Sequence, residues 1–152
     1  YPPLVHFFDF LEEKTGYKVI IAAHPLSEYN LHKDYFEGRR IIKGQTQQLV
    51  KNSKFVLAHE STAISFVVLY LKAVIFITHD SISRRYNQLI MHLADCLGKK
   101  PLNITEEYPE DLSDQLIIDY DRYDKYKTDF IKKPGTPEKN TWEIFSNYCD
   151  KL

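Results

Sequence analysis

Residues 55 to 78 read FVLAHESTAISFVVLYLKAVIFIT, two continuous apolar runs separated by the polar knot His59-Glu60-Ser61-Thr62. A strand without polar alternation must be covered on both faces, the condition of parallel strands lying under helices. The run VIIAAHP at residues 19 to 25 has the same character, and helical spacing appears in the intervals between such runs. This alternation constrains the fold more than any total does.

Leu4, Phe7, Phe8 and Leu11 recur at helical spacing behind Pro2 and Pro3, with Gly16 as a stop, so a helix precedes a strand from Tyr17 to Ala23. Residues 26 to 39 read as a polar loop or short helix, and RRIIKG as a second strand. TQQLVKNS is a compact helix with Thr46 as its expected N-cap, KFVLAHE the third strand and STAISFVVLYLK the next helix. AVIFITHD is the fourth strand, and SISRRYNQLIMHLADCLG a long helix that Asp80-Ser81 is expected to cap and Gly98 to end. KPLNIT and QLIIDY predict two more strands around the acidic loop EEYPEDLSD, and residues 121 to 132 and 139 to 152 are helical about the break KPGTPE. The expected architecture is α/β: an open, doubly wound parallel sheet with helices on both faces, residues 1–120 forming the core and 121–152 C-terminal helices of one domain. A chain of 152 residues buries about 70% of its unfolded surface, enough for a core without staples.

Several function classes lose support. His59, Glu60 and Lys72 limit the longest uncharged run in the central segment to 11 residues, Ser61 to Leu71, well short of the roughly 20 a membrane-spanning helix needs. A net charge of −1 gives no electrostatic reason to expect nucleic acid as a partner. Cys96 and Cys149 form neither a disulfide framework nor a zinc spacing, so a reduced, metal-free protein is expected. The chain opens at Tyr1 without an export signal, like an excised domain. Dinucleotide and NTP glycine loops are absent, as is the GxSxG elbow, which disfavours a hydrolase built on Ser61, His59 or His24, and Asp80.

Ligands of open α/β sheets bind beyond the carboxyl ends of the strands. Those ends supply His24-Pro25, Lys43-Gly44, His59-Glu60-Ser61-Thr62 and Thr78-His79-Asp80. Ser61 and Thr62 are expected where a helix starts, so backbone N–H groups, the helix dipole and two hydroxyls would favour a phosphate there, or the hydroxyls would simply cap their own helix. His24 and His59, at neighbouring strand ends, would donate to the same phosphate, with Lys43 adding charge. Asp119-Tyr120-Asp121 reads as a capping feature instead of a DxD metal motif.

VIIAAHP followed by SKFVLAHESTAISFVVLYLKAVIFIT resembles the C-terminal, donor-binding half of GT-B glycosyltransferases. The likeness is to bacterial sialyl- and polysialyltransferases with HP and Ser-Ser or Ser-Thr motifs, and to CDP-glycerol glycerophosphotransferases. It runs in detail from Lys18 to Asp80, with Ala73 following Lys72 where such enzymes commonly have proline. The resemblance implies that His24 and the Ser61-Thr62 pair contact the phosphate of a CMP-, CDP- or UDP-linked sugar, without metal or other cofactor; His59, Glu60 and Lys43 are added on placement. It further implies a glycan acceptor, a general base in an N-terminal domain outside this chain, and a fragment inactive alone. The parent would be a cytoplasmic enzyme of capsule or lipopolysaccharide synthesis, with peripheral association at the inner face of the membrane as an option. An epimerase-type domain is the enzymatic alternative. A non-catalytic interaction domain using the tyrosine-rich helix around Tyr120, Tyr123, Tyr126 and Phe130 is the other, although such a stripe is more often core. Trp142 and Phe145 would be exposed where a partner domain is missing.

Overall fold

The computed structural model describes residues 1–29, 34–106, 108–137 and 139–150. The loop expected over 26 to 39 and the helix expected over 139 to 152 therefore fall partly outside the described residues.

The first half alternates as the apolar pattern demands: α1 (Pro2–Thr15), β1 (Ile21–Ala23), β2 (Ile41–Lys43), α2 (Thr46–Asn52) and β3 (Phe55–Ala58). α3 (Ile64–Leu69), β4 (Ala73–Thr78), α4 (Arg84–Cys96) and β5 (Leu102–Asn103) complete the α/β part, and α5 (Ser113–Leu116), α6 (Tyr120–Tyr126) and α7 (Thr141–Cys149) follow. Among the described residues all pairings are parallel, but the strands form two open sheets, β1-β2 and β3-β4-β5, instead of the single sheet expected.

β4 is the centre of the molecule. Val74 and Phe76 belong to one core cluster with Ile64, Val67, Ile90, Leu97 and Tyr123, whereas Ile75 and Ile77 belong to another with Phe7, Leu11, Ile104 and Leu112. Successive side chains of a strand point to opposite faces, so helices α3, α4 and α6 cover one face while α1 and the segment leading into α5 cover the other. The continuous apolar run of β4 follows directly from that double coverage.

Local chemistry explains the departures from expectation. β1 is shorter than Tyr17 to Ala23 because the Val19 amide donates to Glu12 Oε1 at 2.7 Å instead of to a neighbouring strand. The same carboxylate meets Arg39, whose buried guanidinium also reaches Asp9 and ties α1 to the start of β2. QLIIDY does not form a strand: Ser113–Leu116 is helical, and Lys99 Nζ takes the carbonyls of Asp114, Gln115 and Ile117. Gln45, not Thr46, is the N-cap of α2, and Ser83, not Asp80 or Ser81, that of α4.

α3 ends at Leu69, short of the Lys72 expected, through a Schellman closure: Leu71 N donates to Val68 O at 3.2 Å and Lys72 N to Val67 O at 3.0 Å. Leu71 stands at φ 48°, a left-handed position usually held by glycine. In α6, Asp119 accepts from the Arg122 amide as N-cap, as its sequence position suggested, and a π-helical turn, Lys127–Ile131, continues it. Tyr123 and Tyr126 are buried in the core, with Tyr123 Oη donating to Lys72 O at 2.8 Å, so this part of the aromatic stripe is packing. α7 carries an Asn140–Glu143 capping box but buries nothing, and Trp142, Phe145 and Tyr148 remain exposed.

Candidate functional site

Parallel pairing brings the carboxyl ends of β3, β4 and β5 to one edge of their sheet, and two adjoining clefts open there. The larger, about 670 Å³, is lined by His59 and Glu60 after β3 and by Ser81, Ile82, Ser83, Tyr86 and Ile90 after β4. The smaller, about 340 Å³, shares His59, Ser81 and Ile82 and adds Tyr1, Thr78, His79 and Ile104 among its walls. The larger volume lies within the range of small-molecule clefts, roughly 300–1,000 Å³.

The polar knot is exposed, as its place at the emergence of a core strand requires. Its helix geometry differs from expectation. The N-cap of α3 is Ala63, and Ser61 and Thr62 lie in the preceding turn, where their carbonyls accept from the Ile64 and Ser65 amides at 3.3 and 3.2 Å. Ser61 Oγ accepts from the Ala63 amide at 3.1 Å, so the serine braces its own turn. α3 has only six residues, which leaves it a weaker dipole source than the 13-residue α4. α4 is the long helix that begins at the cleft. Its N-cap Ser83 lines the wall, and no side chain caps the first turn.

The remaining sequence candidates lie at the other sheet. His24 follows β1 and Lys43 ends β2; Lys43 Nζ donates to Ser27 O at 2.8 Å in the turn that His24 opens. The structure therefore brings His24 together with Lys43, and His59 together with Glu60. Neither described cleft includes His24, Lys43, Ser61 or Thr62.

Sequence reasoning named the end of β4 by topology but gave its residues no binding role. His79, Ser81, Ser83 and Tyr86 are the additions, and their signal was position: the strand end beside His59, followed by two serines before a long helix. His79 Nδ1 accepts from the Ser81 amide at 2.9 Å, and the Ile82 amide donates to His79 O at 2.9 Å, closing a compact turn. Asp80 points to β5 and accepts from Asn103 Nδ2 at 2.8 Å; this bond and one from Thr105 hold its carboxyl below the usual range. Among the described residues no hydrogen bond joins Ser61 Oγ to a histidine or to Asp80, so the geometry of a Ser-His-Asp hydrolase is not assembled. No group of three His, Cys, Asp or Glu among them is placed to hold a metal. No helix among them is long and apolar enough to cross a membrane.

The class that fold and site define is an α/β protein with parallel strands and clefts at their carboxyl edge. No family model, curated protein or solved structure matches the chain.

Proposed function

We propose that this chain is a nucleotide-sugar-binding domain of GT-B type, the donor half of a glycosyltransferase of bacterial surface polysaccharide synthesis. The observation that carries the reading is the larger cleft at the carboxyl ends of β3 and β4, with His59, Glu60, Ser81, Ser83 and Tyr86 around it. An imidazole and two hydroxyls suit phosphate oxygens, and the α4 dipole favours negative charge at the same end. The Glu60 carboxylate is an acceptor suited to ribose or sugar hydroxyls, and the half-exposed ring of Tyr86 is a surface on which a base can lie.

In this reading the donors strengthen as charge grows on the departing phosphate, which lowers the barrier to sugar transfer without a metal. The sequence resemblance assigns His24 and the Ser61-Thr62 pair to the donor phosphate, with Lys43 added on placement; in this reading they approach it from outside the two clefts. The glycan acceptor and the general base belong to an N-terminal domain of the parent, a cytoplasmic enzyme working at the inner face of the membrane. This domain alone binds and does not turn over.

Calorimetric titration with CMP, CDP, UDP and GDP tests the reading. One of them is expected to bind, with His59→Ala weakening it; absence of binding by all four at millimolar concentration would refute it.

A further inference from the structure

The donor-site reading leaves the half-buried His79 without a task. Its Nδ1 is occupied as the acceptor of the Ser81 amide at 2.9 Å, and a ring nitrogen that accepts cannot carry a hydrogen. In the neutral imidazole the proton therefore sits on Nε2. The backbone bond also fixes the ring, because the Ile82 amide closes the same turn onto His79 O and Asp80 is anchored to Asn103 on β5. His79 lines the smaller cleft together with His59, Ser81 and Ile82, the residues that this cleft shares with the larger one. No hydrogen bond to His79 Nε2 is made within the described residues.

We propose that His79 is a ligand-binding residue whose fixed Nε2–H donates to an anionic oxygen, the phosphate of a nucleotide held across the junction of the two clefts. Orientation is the distinguishing property. A donor locked by its own backbone loses little rotational freedom on binding, so its hydrogen bond retains most of its value. His59 would approach the same phosphate from β3, giving two imidazole donors from adjacent parallel strands. The proposal rests on the donor-site reading for the identity of the ligand, but not for the state of the ring.

Two measurements test it. In ¹⁵N-resolved spectra of the whole chain, assigned with His79→Gln, the neutral His79 ring is expected to show a protonated Nε2 and an unprotonated Nδ1; the reverse tautomer would overturn the proposal. In titrations with UDP, CMP and inorganic pyrophosphate, His79→Ala is expected to weaken nucleotide binding by about tenfold or more, the loss of one hydrogen bond to a charged group. His79→Gln, whose amide nitrogen reaches the Nε2 position, is expected to recover much of it. Nucleotide binding unchanged in His79→Ala would overturn the role of His79 and leave the donor-site reading standing. If nucleotides fail to bind but pyrophosphate shifts the His79 nitrogens, the donor-site reading falls and His79 as an anion donor stands. If nucleotides fail to bind and pyrophosphate leaves the His79 nitrogens unmoved, both fall.

Discussion

Two histidines leave strands of this chain into the same local turn and reach different surroundings. His24 Nδ1 accepts from the Leu26 amide at 3.1 Å and His79 Nδ1 from the Ser81 amide at 2.9 Å, each two residues ahead. His24 is exposed at the end of the two-stranded sheet beside Leu26, which is 84% exposed, while His79 is half-buried at the end of the central strand. A strand end becomes a site when a second strand end and a helix stand beside it to make walls. β3, β4 and α4 do so around His59 and His79, whereas among the described residues β1 and β2 bring Lys43 to the turn of His24, which lines neither cleft.

The largest expected effect separates the frame under the cleft from the periphery. Phe76→Ala, at a fully buried position of β4, should cost about 3–5 kcal/mol in urea denaturation. Trp142→Ala, at a position 79% exposed on α7, should stay within about 0.5 kcal/mol. Similar losses at the two positions would mean that α7 is packed in solution.

A second test compares the sheet edges directly. His59→Ala should weaken nucleotide binding by about tenfold, as expected for one charge-assisted hydrogen bond, and His24→Ala by less. A larger loss at His24, measured in the same calorimetric titrations, would move the phosphate to the β1-β2 edge and restore the weight that the HP motif gave it.

Tyr123 gives a pH dependence. Burial pushes its phenol well above the usual tyrosine value, so above about pH 10 the unfolded chain loses a proton that the folded chain keeps. With a raised folded value, the stability it contributes is present below pH 10 and declines as pH rises beyond it. Thermal melts between pH 9 and 11, roughly spanning the free phenol's titration, should show this decline, and Tyr123→Phe should flatten it. The same variant leaves Lys72 O without its partner and should cost about 1–2 kcal/mol at neutral pH.

The smallest effect has the opposite sign. Leu71→Gly relieves a left-handed leucine at the end of α3 and should raise stability by about 1 kcal/mol in urea denaturation.

Much of this frame was legible because apolar continuity and helical spacing act over many residues. The helix carrying Phe7 and Leu11 and the double coverage of β4 were readable in that way, and the capping role of Asp119 from its place before a helical pattern. What was not readable depends on single side chains that intercept backbone groups. Glu12 shortens β1 by taking the Val19 amide, and Lys99 takes carbonyls that a strand at QLIIDY would have offered to a neighbour. The partners are separated by 7 and 16 residues, outside the short spacings that helical and strand patterns reveal. At the site, the exposure of the polar knot at a strand end was foreseen. The start of α3 was misplaced because Ser61 and Thr62 form a turn before the helix instead of its first residues. The role of α4 was hidden by a cap read three residues early, at Asp80 instead of Ser83.

The most direct test of the account is a ¹H–¹⁵N shift map of the whole chain on addition of the nucleotide that binds best. The account predicts shifts concentrated at His59, Glu60 and residues 79 to 86, with the start of β4 and the exposed face of α7 unmoved. Shifts confined to α7, or to the amino ends of the strands, would contradict it.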